Sequence, residues 1–159
     1  MSDSGLSKAV WTDADFATMG WHDCRVHAVS VVEYEDDTVP ATRLLLDLDY
    51  IVRWVDPAPR QKHFTFWVAP STLVFEQAWD ITGEIGPLYD CLEISDLNRL
   101  DPPDDRPYPR WHLAGHTFDL KFRARGFRQY VRTAPQHVDR QVLTMTERGG
   151  LSFAEQAFA

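Results

Sequence analysis

His22 and Asp23, Asp47 and Asp49, and the arginines between residues 115 and 132 are the side chains whose types and spacing could do chemistry. An imidazole beside a carboxylate can act as a general acid–base unit or as a pair of metal ligands. Neighbours in an extended chain point to opposite faces, so His22 and Asp23 also fit a helix exit where both satisfy backbone groups of the turn. Asp47 and Asp49 lie on one face of one strand, about 7 Å apart at Cα by strand rise. Paired carboxylates bind a cation or share a proton. They can equally face arginines across a sheet, in pairs of about 0.2–1 kcal/mol each.

Cross-strand pairing is the favoured expectation because of residues 115–132, GHTFDLKFRARGFRQYVR. Phe118, Leu120, Phe122 and Ala124 alternate with Asp119, Lys121, Arg123 and Arg125. After Gly126 the alternation resumes one step out of phase, with Phe127, Gln129 and Val131 against Arg128, Tyr130 and Arg132. That pattern predicts one long strand with a bulge and a basic stripe set against the aspartates. Arg125 and Arg128, with Trp54, Trp67 and Tyr130, are also candidate ligand-binding residues, since arginine forks beside aromatic rings suit phosphate or single-stranded nucleic acid.

Other constellations fall away. His112 and His116 have the four-residue spacing of a metal pair. A two-residue hairpin loop at Ala114-Gly115 would set Trp111 opposite Phe118 and send the histidines to opposite faces. No Cys-x-x-Cys or His-Glu-x-x-His is present, so neither a metal nor a cofactor is expected. Ser71 and Ser95 lack the flanking glycines of a nucleophile elbow.

The elements that must position these residues are mostly strands. Thr12 and Asp15 predict the capping box of one short N-terminal helix. Trp11 and Phe16 stand at staple spacing, and Gly20 fits a left-handed exit. Alternating runs follow at 24–35, 42–55 (too long to run without a bend near its middle), 62–68 and 91–97. Residues 73–85 read as one strand or two, with a short helix over 71–79 as the alternative. Pro70 predicts an edge or a bulge. After a Pro/Asp-rich loop at 98–109 come a hairpin, a loop at 133–139 and a late strand at 141–148. The expected fold is mainly β, at the border of α+β: an antiparallel sheet, sandwich or open barrel. Residues 1–10 read as a disordered arm, 11–153 as a single domain and 154–159 as a tail.

Six Trp, nine Phe and five Tyr suit a β-rich core. A net charge of −8 opposes general nucleic-acid binding and fits a basic protein partner. Cys24 and Cys91 read as small buried thiols of a reducing compartment. With no apolar h-region at the start and no run of about 18 apolar residues, no membrane association is expected, and the cytoplasm is the expected location.

FATMGWHDC at residues 16–24, DLDYIVRW at 47–54, FWVAPSTLVFE at 66–76, GFRQYVR at 126–132 and ERGGLSF at 147–153 together resemble a family of small uncharacterised bacterial proteins. The resemblance covers most of the chain. It implies a bacterial, cytosolic, single-domain protein and transfers no activity.

The leading functional expectation is a non-catalytic binding or interaction protein. Acidic loops at 35–38 and 101–105 would meet a basic partner, as the immunity protein of a toxin does. The alternative is a small enzyme or ligand-binding barrel. Trp54, Trp67 and Tyr130 would line its pocket, and His22, Asp23, Asp47, Asp49 and Arg123 would do the polar work. It requires a pocket that brings the histidine within reach of a carboxylate.

Overall fold

A computed structural model describes residues 3–35, 40–88, 90–100 and 104–159. Residues 36–38 of one expected acidic loop and 101–103 of the other lie outside the described residues. The strands are β1 (Val10–Thr12), β2 (Arg25–Glu35), β3 (Pro40–Val55), β4 (Thr65–Glu76), β5 (Trp79–Ile85), β6 (Leu92–Leu100), β7 (Arg110–Gly115), β8 (Phe118–Arg123), β9 (Gly126–Val131) and β10 (Gln136–Val138). All pairings are antiparallel, in the order β1-β9-β4-β3-β2-β6-β7-β8-β5, with β10 beside β4. The expected mainly β antiparallel fold is present, and the sheet does not close into a barrel.

The sheet has two wings. β1, β9, β4, β3 and β2 form one, and β6, β7, β8 and β5 the other, joined through the short β2–β6 pairing of Arg25 with Glu93 and Val26 with Leu92. Leu44, Leu46, Leu48, Leu73, Phe75 and Phe127 of the first wing meet Ile94, Leu97, Trp111, Leu113 and Phe122 of the second in one core. Phe75 links the wings, with ring centroids 5.8 Å from Trp111 and 4.6 Å from Phe122.

The predicted long strand over 115–132 is two strands. β8 pairs with β5 and β7, whereas β9 pairs with β1 and β4. The change of parity therefore marks where the chain passes from one wing to the other, not a bulge. Gly126 permits the passage: a Cβ there would lie 2.3 Å from Asp13 Oδ1, the atom that accepts the Phe127 N–H.

Other elements also depart from expectation. The 114–115 turn falls at residues 116–117, and Trp111 sits opposite Phe122 rather than Phe118. A slip by an even number of residues leaves every side chain on its face, so alternation cannot distinguish these registers. The bulge of β3 lies at 51–53, near its end, and β2 has a bulge at 26–28 that moves Ala28 and Val32 off the face of Val26. Residues 73–85 contain the end of β4 and all of β5, with no helix. Pro70 is in an interior strand. Its carbonyl accepts from Arg132 N, so its missing N–H falls where β10 has ended and β9 begins. The loop at 133–139 contains β10.

The N-terminal helix is a 3₁₀ turn at Asp13–Thr18 with the expected Thr12–Asp15 capping box. It leaves through Met19 in extended conformation, so Gly20 is not the left-handed exit. Phe16 enters the aromatic core beside Trp21 and Trp111, while Trp11 packs with Ala9, Ala69 and Val131. The predicted late strand at 141–148 contains α1 (Met145–Arg148), whose Thr144–Glu147 capping box is a helix signal inside an alternating run. The described residues near both ends lie against the body: Ser4 and Ala9 are buried, Val131 N donates to Ala9 O, and Phe158 N to Val131 O.

Gly83 has φ +141°, and a Cβ there would stand 1.9 Å from the Asp119 carbonyl oxygen. Gly83→Ala is expected to destabilise by about 1–3 kcal/mol through backbone strain and loss of β5–β8 pairing. Gly20→Ala, where a Cβ meets nothing within 4 Å, is the near-neutral control. Denaturant unfolding of the two variants checks the difference.

Candidate functional site

Asp47 and Asp49 do not face solvent; both are fully buried under the C-terminal segment. Asp47 Oδ1 accepts from Arg148 Nη2 at 2.6 Å and Arg132 Nη2 at 2.7 Å, and its Oδ2 from Arg148 Nη1 at 3.0 Å and Ser152 N at 2.9 Å. Asp49 Oδ1 accepts from Arg148 Nε at 3.0 Å, and its Oδ2 accepts from Leu143 N at 2.9 Å and lies 2.9 Å from His27 Nε2. Burial works to raise the Asp47 carboxyl, but Arg148, the Ser152 amide and Arg132 outweigh it and hold it below its ordinary value of 3.8. Burial likewise disfavours the Arg148 cation, and the two aspartates more than reverse this. These carboxylates clamp residues 132–152 onto β3, and each of their four oxygens already accepts at least one bond from the protein. Of the expected basic stripe only Arg132 reaches them. Arg148 was not foreseen, because a strand assignment at 141–148 hides an inward turn.

Arg123 is elsewhere. Its guanidinium clamps both oxygens of Asp104, and that ion pair pulls the Asp104 carboxyl down to about 2. The expected aromatic pocket does not assemble. Trp67 stacks on His137 at 4.9 Å, Tyr130 pairs with Val10 in β1, and Trp54 packs edge-on to Phe64 and Phe66. Arg125 and Arg128 do share the wall of one cavity. His112 bonds Asp119, while His116 turns to Glu93. Cys24 is buried and its thiol is pushed up to about 12, mainly by burial; Cys91 is only partly buried.

One cluster keeps titratable groups within reach of solvent. It forms where the wings join. Asp23 takes the left-handed conformation (φ 66°), and its N–H donates to Ile94 O at 2.8 Å. Ile94 N returns a bond to Cys24 O, and His116 N donates to Glu93 O at 3.2 Å. These bonds bring Asp23, Glu93 and His116 together so that one donor atom from each lies within 4.8 Å of the others. His22 Nδ1 stands 3.2 Å from Asp23 Oδ1, and Gln141 Nε2 donates to Asp23 Oδ2 at 3.0 Å. Burial first, and then the hydrogen bond and charge of Asp23, raise the Glu93 carboxyl above its ordinary 4.5, against the pull of His116 and Arg25. Two carboxylates in contact share a proton or take up a cation, and with His116 they have the donor set to hold a metal ion.

The Asp23 and Glu93 side chains are 18% and 27% exposed, so a cation from solvent can reach them. The His22 ring lies 6.5 Å from that of Trp54, which with Phe64 forms an exposed aromatic border. His22 and Asp23 were legible in the sequence. The approach of Glu93 and His116 to Asp23 was not, because no local pattern signals a contact across seventy or more residues.

Comparison with protein-family models, curated proteins and solved structures finds no match to this chain. Among the described residues no helix is long and apolar enough to cross a membrane.

Proposed function

We propose that this is a non-catalytic binding protein of the bacterial cytoplasm that captures a basic protein partner at the Asp23–Glu93 face, in the manner of an immunity protein. The carrying observation is the contact between those two carboxylates. Burial, and then the neighbouring Asp23, hold Glu93 above its ordinary value, and an arriving ammonium or guanidinium group would compensate both carboxylates. Trp54 and Phe64, exposed at the border, offer aromatic surface to the same partner. The net charge of −8 steers a basic partner toward the molecule. The alternative, a small enzyme or ligand-binding barrel, is disfavoured because Asp47, Asp49 and Arg123 are committed to ion pairs inside the protein.

Titration of the isotope-labelled protein with a short Lys/Arg-rich peptide, followed by NMR, tests this. Shifts are expected at His22, Asp23, Trp54, Phe64, Glu93 and His116. They should weaken at high salt and be lost in the Asp23→Asn/Glu93→Gln double variant, which should still fold. Affinity should also fall on acidification, beginning above pH 4.5, because the raised Glu93 carboxyl takes its proton early. A wild-type protein that gives no shifts, or a double variant that binds equally well, would rule the assignment out.

A further inference from the structure

The two chain crossings, at residues 77–78 and 124–125, border a cavity of about 450 Å³, within the range of small-molecule sites. Its wall includes Asp13, Glu76, Gln77, Arg125 and Arg128. Glu76 is committed, since Arg43 Nε and Nη2 donate to its two oxygens at 3.2 and 3.0 Å. Asp13 uses Oδ1 to cap Phe127 N at 3.2 Å and leaves Oδ2 over.

Arg125 and Arg128 differ from five other arginines. Arg43, Arg123, Arg132, Arg140 and Arg148 each hold a carboxylate. Arg125 and Arg128 are exposed and have no ion pair or side-chain hydrogen bond among the described residues. Their backbone is nevertheless fixed. Arg125 N donates to Glu76 O at 2.9 Å, and Arg128 stands in the ladders opposite Thr12 and Val74. Two guanidinium forks on the wall of one cavity, carried by backbone the sheet holds, are the groups that pair bidentately with a doubly charged oxyanion.

We propose that this cavity binds a phosphorylated, hydroxyl-bearing small molecule. The phosphate would bridge Arg125 and Arg128. A hydroxyl would donate to the spare oxygen of Asp13, which would otherwise repel an anion. This site is separate from the Asp23–Glu93 face and does not depend on its partner.

Calorimetric titration with ribose 5-phosphate, inorganic phosphate and ribose tests the proposal. Ribose 5-phosphate should bind in the millimolar range or tighter, inorganic phosphate more weakly, and ribose not at all. The Arg125→Gln/Arg128→Gln double variant should bind about tenfold or more weakly. Both side chains are exposed, so its unfolding midpoint without ligand should match wild type. No heat with ribose 5-phosphate, or undiminished binding by the double variant, would overturn the site. Equal binding of phosphate and ribose 5-phosphate would overturn the hydroxyl contact to Asp13.

Discussion

Arg148→Met should lower the unfolding free energy by about 3–5 kcal/mol, the usual consequence of removing one partner from a buried ion pair. Arg148 is fully buried and bonds both oxygens of Asp47 and one of Asp49. Without it, Arg132 and the Ser152 amide still satisfy Asp47, but each carboxylate loses charge compensation in a place water does not reach. Urea unfolding measures the loss. Hydrogen exchange should locate it, because α1 and residues 149–152 are tied to β3 through this guanidinium. An Arg148→Met protein within about 1 kcal/mol of wild type would mean that the cluster relaxes or admits water. The same cluster predicts the acid response. The Asp47 carboxyl is depressed in the folded protein, so its contribution is fully present above its unfolded value near 3.8. It is lost only as pH falls through the lower folded value. Stability should therefore drop below about pH 4, and less steeply in Asp47→Asn, which has already lost that contribution.

Trp21→Ala is the other large effect, at about 3–5 kcal/mol. The ring is 1% exposed and packs on Phe16 at 5.9 Å, Phe127 at 5.6 Å and Tyr50 at 6.2 Å. Its Nε1 also donates to Gln129 Oε1 at 2.8 Å, a bond between two fully buried groups. Trp21→Phe separates the contributions. It keeps most of the packing and strands the Gln129 carboxamide, whose Nε2 already lacks a partner, for a loss of about 1–3 kcal/mol. Alanine should thus be the more damaging of the two by denaturant unfolding. If phenylalanine were as damaging, the hydrogen bond would outweigh the packing; if it were neutral, Gln129 would have another partner.

The sequence sets one inward face along β3 and another along β8. Leu44, Leu46 and Leu48, and Phe118, Leu120 and Phe122, are buried as their alternation requires, because successive strand residues leave opposite sides of the backbone. It also determined the Thr12 cap, since a capping box closes within four residues. Alternation is silent about partners. It could not say that β8 and β9 lie in different wings, or that the hairpin turns at 116–117, because even slips preserve the faces. Nor could it say that the polar face of β3 would be covered. Only the tertiary structure brought Arg148 over Asp47 and Asp49, and Glu93 and His116 beside Asp23. Solvation decides whether a carboxylate is a surface charge or a buried anchor, and that depends on chain a hundred residues away.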